Sequence, residues 1–222
     1  MLIDGMDMQC RNEADKRVCR EVIGKRVYEM PRLGFVLHPH SVWLDIGANI
    51  GAFAVWAGQR RAKHIVAIEP CVENFDLLQR NTDANRSPAE CFRKAVAIES
   101  GVCTIKYNAD TPARSGEFAH KGKDEICEAV GFNNLISEYK PDGIKMDAEG
   151  AELAILDNGM NMNGVGFLVM EYHARFDKLR ENARRRLAPL VEMFRDHRIP
   201  RSLIEGEGEF PSWVDPICFF WN

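Results

Sequence analysis

The sequence predicts an α/β fold with a mostly parallel sheet of seven strands and helices on both faces. Three observations lead there. Short apolar runs recur along the chain, each followed by a helix-like stretch, the pattern of repeated strand–helix units. The runs are near-continuously apolar, as strands are when both faces of the sheet are covered. The first run closes on a glycine-rich turn that opens the first helix.

Taken in order, residues 42–47 (VWLDIG) form a strand that leads into a helix over 52–60. Residues 64–70 (HIVAIEP) lead into a helix over 72–80, and Pro70 removes a donor and stops that strand. Residues 92–98 (FRKAVAI) supply the third strand, with 102–107 (VCTIKY) close behind. Residues 143–147 (GIKMD) precede a helix over 151–158, and 167–173 (FLVMEYH) lead into a long helical region. In that region Phe176, Leu179, Ala183, Leu187, Leu190, Val191 and Phe194 share one face at 3.6-residue spacing. Pro189 lies inside it and predicts a kink or a new first turn. Residues 202–204 and 216–221 (PICFFW) are expected to close the sheet. Trp43 and Trp56 fall inside a strand and a helix and read as packing residues.

The 222 residues suit one domain spanning 1–222. Residues 1–40, with Pro31 and Pro39, form an N-terminal flank, and the polar stretch 108–125 reads as a mobile loop, either a plain surface loop or a lid or binding loop. Apolar residues make up 45% and charged residues 28%, which excludes a disordered or low-complexity chain. A net charge of -4 excludes a chain-wide basic field. The cysteines number seven and include no CxxC, against a disulfide framework or a zinc ribbon. With no apolar leader and no membrane-length segment, the expected location is cytoplasmic, with no membrane partner.

The most informative motif is Asp45-Ile46-Gly47-Ala48-Asn49-Ile50-Gly51, at a strand–helix junction where the backbone can approach a ligand. Glu69 ends the next strand, placed to accept hydrogen bonds from two ribose hydroxyls and to repel a 2′-phosphate. That leaves NAD and S-adenosylmethionine. The turn lacks the third glycine of the dinucleotide fingerprint, and Asp45 suits a cationic methionine amino group better than a pyrophosphate.

With these residues in view, the chain resembles class I S-adenosylmethionine-dependent methyltransferases of the FkbM type. The resemblance rests on VWLDIGANIGAFAVWA (42–57), VAIEPCVENFDLLQRN (66–81), AVAIESGVCTIKY (95–107), FNNLI (132–136), IKMDAEGAELAIL (144–156) and FLVMEY (167–172). It implies a Rossmann-like sheet with the last strand inserted antiparallel. It also implies methyl transfer, mostly to hydroxyl oxygens of sugars or natural products. Asp45, Gly47, Ala48, Asn49 and Gly51 would line the methionine end of the cofactor, Glu69 and Pro70 the ribose, and Ala95 and Val96 the adenine.

The candidate catalytic cluster is Lys145, Asp147 and Glu149, with Asp147 at the carboxyl end of its strand. Methyl transfer is an in-line displacement, so the protein has to align donor and acceptor and remove the hydroxyl proton. Asp147, which would also border the cofactor, or Glu149 can be that base. So can Glu171 or His173, at the end of the fifth strand. Glu152 reads as an acid that complements the first turn of its helix. No metal is expected, because no close-spaced ligand motif occurs; Asp147, Glu171 and His173 are nonetheless an option for a divalent cation. Two alternatives compete with a sugar or small-molecule acceptor. A basic face over 175–201, with Arg184-Arg185-Arg186, would suit a nucleic acid. A non-catalytic binding protein would keep the fold and lose the chemistry. The oligomeric state is not legible.

Overall fold

The computed structural model describes residues 1–107, 123–177, 179–205, 208 and 215–222. A short hairpin of β1 (Leu2–Ile3) and β2 (Met6–Asp7) precedes helix α1 (Glu13–Cys19), which continues as a π-helical turn, Arg20–Gly24. Strands and helices then alternate as β3 (Val42–Ile46), α2 (Ala52–Gln59), β4 (His64–Ile68), α3 (Val72–Ala84) and β5 (Ala89–Phe92). Strands β6 (Ala95–Ala97), β7 (Gly101–Tyr107) and β8 (Lys123–Gly131) follow, then α4 (Phe132–Tyr139). The second half comprises β9 (Gly143–Met146), α5 (Ala151–Asp157), β10 (Phe167–Glu171), α6 (Ala174–Asp177), α7 (Arg180–Met193), β11 (Asp196–Arg198), α8 (Arg201–Ile204) and β12 (Ile217–Trp221).

The main sheet has seven strands in the order β11-β12-β10-β9-β3-β4-β5. The five from β10 to β5 are parallel, and β12 runs antiparallel to both β10 and β11. The chain first builds outward from β3 to β5, then returns to lay β9 on the other side of β3. This reversal opens a crevice at the carboxyl ends of β3 and β9, where ligands bind in open α/β sheets.

Alternation along each strand divides the core in two. Leu44, Ile46, Ile144, Met146, Leu168 and Met170 pack with Phe132, Leu153 and Leu187 from α4, α5 and α7. On the opposite face Trp43, Ile65, Val169 and Phe219 pack with Phe53 and Trp56 of α2 and Leu78 of α3. Tyr28, Phe35 and Leu37 join that second core, so the N-terminal flank is part of the domain's packing. Trp43 and Trp56 are buried.

Three expectations are corrected. The run over 92–98 is two strands. β5 ends in the main sheet at Phe92, and β6 pairs with β8 in a separate sheet, β6-β8-β7. Arg93 and Lys94 between them reach Glu125 and Glu128, charges that cannot lie in a sheet covered on both faces. Residues 202–204 belong to helix α8, and β11 takes the sheet edge instead. Its Asp196, His197 and Arg198 are all exposed, which an edge strand tolerates. The helical break falls ahead of Arg180; α7 runs through Pro189, held by the buried Leu187 and Leu190 on either side. Of the predicted loop 108–125, residues 108–122 lie outside the described residues, and the remainder begins β8. Among the described residues, no helix is long and apolar enough to cross a membrane.

Candidate active site

The turn after β3 is built almost wholly from its own hydrogen bonds. Gly47 and Ala48 N–H both donate to Ile68 O at 3.0 Å, and Gly51 N–H donates to Ala48 O at 2.9 Å. Asn49 N–H donates to Glu69 Oε2 at 2.9 Å, and Ile50 N–H to Asn49 Oδ1 at 2.8 Å. Every N–H from 47 to 51 is therefore occupied within the protein, and the turn is no cradle for a pyrophosphate. The glycines are also required by packing. Gly47 has φ +70°, and a Cβ there would stand 1.8 Å from the Asp147 carbonyl oxygen. Gly51, at φ +85°, presses on Leu78.

Asp45 and Lys145 are register partners on neighbouring strands, both buried, with Lys145 Nζ 3.1 Å from Asp45 Oδ1. Burial opposes the Lys145 charge, but Asp45 and then Asp147 outweigh it and hold the ammonium above its usual range. Nζ also donates to Gly47 O at 2.6 Å and to Ile46 O at 3.3 Å. Lys145 thus braces the turn from beneath the candidate cluster. Asp45 Oδ2 has no hydrogen-bond donor among the described residues.

Glu69 is buried at the end of β4. Its Oε1 accepts from Cys71 N–H and Asn74 Nδ2, both at 3.1 Å. Burial pushes its carboxyl up to about 6, against these hydrogen bonds. Asn74 in turn accepts from Arg11 at 2.7 Å, and Arg11 pairs with buried Asp15. The flank is so tied to Glu69, a link that no sequence spacing signals. Pro70 follows Glu69 outside the strand, while Ala95 and Val96 lie in the smaller sheet.

At the ends of β9 and β10 four acids surround one imidazole. His173 is buried; its Nδ1 meets Glu152 Oε1 at 2.8 Å, and its backbone N–H donates to the same oxygen at 3.0 Å. Nε2 stands 3.6 Å from Asp147 Oδ1 and 3.6 Å from Glu149 Oε2. Burial disfavours the imidazolium, but Glu152 and then Asp147 and Glu149 outweigh it and raise His173 to about 10. Glu152 is fully buried, and its Oε2 accepts from Gly150 N–H at 2.9 Å. It thus complements the first turn of α5 through Gly150, as read from the sequence, and is in addition a structural partner of His173. Glu171 is pushed up to about 8 by burial and next by the Asp147 charge. Tyr28 Oη donates to Asp147 Oδ2 at 3.5 Å.

These groups open into one cavity of about 340 Å³. Gly47, Ala48 and Asn49 form one wall, and Lys145, Asp147, Glu149, Glu171 and Asp215 another. Arg17, Glu21 and Tyr28, from the flank, complete it. Sequence reading missed these three; only the aromatic Tyr28 among charged neighbours offered a signal. The candidates Asp45 and Glu69 lie outside that lining.

Among the described residues, two ligand groupings converge on His173. Asp147, Glu149 and His173 bring one ligand atom each within 4.8 Å of one another, and Glu171, His173 and Asp215 do likewise. The trio considered from sequence is split between them. Each arginine of the α7 row has a partner within the protein, although Arg184 and Arg185 are exposed. Arg185 and Arg186 pair with Asp157, Arg186 also with buried Asp177, and Arg184 donates to Ile204 O.

A family profile described as the Methyltransferase FkbM domain matches residues 45–198. The hexuronic acid methyltransferase AglP of Haloferax volcanii is 28% identical over 144 residues, 62% of this chain and 58% of that protein. The 31-O-demethyl-FK506 methyltransferase FkbM of Streptomyces tacrolimicus is 30% identical over 116 residues, 51% of this chain and 44% of that protein. The match thus spans little more than half of the first relative's length and less than half of the second's. A precorrin-6y C5,15-methyltransferase from Geobacter metallireducens superposes with a TM-score of 0.49 at 11% identity, covering 100% of this chain and 97% of that one.

Proposed function

The chain belongs to the FkbM methyltransferase family, and from that premise we propose that it transfers a methyl group from S-adenosylmethionine to a hydroxyl oxygen of a sugar or other small molecule. The observation that carries this reading is the shared cavity, in which the Gly47–Asn49 turn faces the carboxylates of Asp147, Glu149 and Glu171. The names of two relatives, a hexuronic acid and a 31-O-demethyl methyltransferase, support an acceptor of that class.

The residues present fit the cofactor. Asp45 Oδ2, buried without a donor, suits a cationic amino group, reached directly or through water. Each Glu69 oxygen can accept more than the protein gives it, which leaves capacity for ribose hydroxyls. Ala95 and Val96 would border the adenine. When bound, the cofactor supplies an electrophilic methyl group on a good leaving group. What remains for the protein is alignment and proton removal. Asp147 is the best-placed base, because Oδ2 faces the cavity beside Tyr28 while Oδ1 faces His173. Lys145 holds the turn still through Gly47 O.

The nucleic-acid reading draws little support from α7, whose arginines are engaged with Asp157, Asp177 and Ile204 O. The test is a calorimetric titration with S-adenosylhomocysteine beside Glu69→Ala. Micromolar binding that the variant loses supports the reading, and labelled-methyl transfer into sugar, small-molecule and RNA pools then identifies the acceptor class. A folded wild type that binds nothing at millimolar ligand overturns it. Methylation unaffected in Asp147→Asn would remove the proposed base, and a folded protein that binds the cofactor but methylates no pool would favour the non-catalytic alternative.

A further inference from the structure

We propose that Asp147, Glu149 and His173 form a divalent-cation site on the wall of the cavity. Three independent features of the geometry point there. First, the spacing is that of ligands and not of hydrogen bonds. Nε2 of His173 stands 3.6 Å from Asp147 Oδ1 and from Glu149 Oε2, beyond hydrogen-bond reach of either. Oxygen and nitrogen ligands at right angles around an ion held at about 2.1–2.5 Å stand roughly 3.0–3.5 Å apart. Both gaps therefore close onto one shared ion with shifts of a few tenths of an ångström.

Second, Nε2 is aimed into the cluster, where it faces both the Asp147 and the Glu149 carboxylate at 3.6 Å. The side chain is 1% exposed. Its other nitrogen and its backbone N–H are both committed to Glu152 Oε1, at 2.8 and 3.0 Å. A carboxylate on the far nitrogen is the partner that metal-ligating histidines ordinarily have; it orients the ring and leaves Nε2 to the ion. Glu152 is itself fixed by the Gly150 N–H, so the imidazole is anchored to the loop that carries both acids.

Third, the two carboxylates remain reachable from the cavity, with side chains 26% and 18% exposed, while the histidine behind them is not. An ion there would have protein ligands on one side and the cavity on the other, with coordination positions left for an acceptor oxygen. A hard or borderline ion of the Mg²⁺ or Mn²⁺ kind suits one imidazole and two carboxylates. In catalysis it would fix the acceptor hydroxyl and ease loss of its proton, while Asp147 Oδ2 stays turned toward the cavity. That catalytic use rests on the methyl-transfer reading; the binding itself does not.

The test uses the whole chain, stripped with chelator and titrated with Mn²⁺ by calorimetry and by the electron paramagnetic resonance of the free ion. One Mn²⁺ per chain is expected. Asp147→Asn and Glu149→Gln should each weaken it at least about tenfold, and Glu152→Gln by about 10–100-fold through the orientation of His173. Circular dichroism melting of each variant separates lost ligation from lost fold. Glu171→Gln decides between the two groupings. Affinity close to that of the wild type supports the assignment. A loss with Glu171→Gln but not with Glu149→Gln puts the ion beside Asp215 and overturns it, as does a folded wild type that takes up no Mn²⁺ at millimolar concentration. S-Adenosylhomocysteine titrated in excess chelator reports on the cofactor separately, so each reading can fail without the other.

Discussion

Gly47 packs against the β9 loop so closely that no side chain fits. Its backbone is left-handed, and the carbonyl oxygen of Asp147 occupies the place of a Cβ at 1.8 Å. Gly47→Ala must therefore push the β3 and β9 loops apart, besides placing an alanine in an αL conformation. Left-handed strain costs about 1–2 kcal/mol and overpacking about 1–3 kcal/mol, so a loss of about 2–5 kcal/mol is expected in urea unfolding. A loss below 1 kcal/mol would mean the two loops do not meet. Glu69 yields a pH prediction. Its carboxyl is raised to about 6 by burial, above its unfolded value of 4.5. A raised acid contributes a cost in the ionised state that is relieved as pH falls from about 6 to 4.5. Ribose hydroxyls favour the ionised form, so affinity for S-adenosylhomocysteine should fall as pH drops through about 6, and Glu69→Gln should abolish that dependence. A pH-independent wild-type affinity would remove Glu69 from the site. Both residues were legible in the sequence because a turn and an acid about twenty residues later are local features. The pairing of Glu152 with His173 was not, because 21 positions separate them and only the fold joins them.

The parallel strands announced themselves through unbroken apolar runs, a direct result of cover on both faces. Strand β11 did not, since its Asp196, His197 and Arg198 sit at an exposed edge where hydrophobic pattern is not required. Helix α7 shows the converse limit. Its arginine row looked like a surface for polyanions, yet position along a helix does not reveal what lies opposite. Asp157 on α5 and Asp177 on α6 lie there, and Arg186 binds both. Tyr172 also donates to Asp177. Arg186→Ala would leave Asp177 buried and without its guanidinium, which costs about 3–5 kcal/mol in pairs of this kind. Chemical denaturation at low and high salt checks it: the loss should persist in high salt because the pair is shielded from solvent. A loss under 1 kcal/mol, or one erased by salt, would return these arginines to the solvent and reopen the case for a polyanion.

Across the molecule, the N-terminal flank and the sheet behave as one body around the cavity. The sequence marked residues 1–40 as a flank, since they mix charge with a few apolar positions and carry Pro31 and Pro39. Tyr28, Phe35 and Leu37 nonetheless complete one core, and Arg17, Glu21 and Tyr28 wall the cavity. A second tie runs from Asp15 through Arg11 and Asn74 to Glu69. A ligand that engages Glu69 and the cavity therefore contacts both parts, and its binding free energy opposes opening of the flank as well as global unfolding. At one hundred times its Kd such a ligand adds about 2.7 kcal/mol, or about 5–10 °C in Tm for a chain of this size. Local opening separates this coupling from simple global stabilisation. Hydrogen exchange at residues 13–24 should slow on addition of S-adenosylhomocysteine, and Arg11→Ala should reduce that slowing more than it reduces affinity. Protection confined to the sheet, with α1 exchanging at its ligand-free rate, would show that the flank walls the cavity without sensing what fills it.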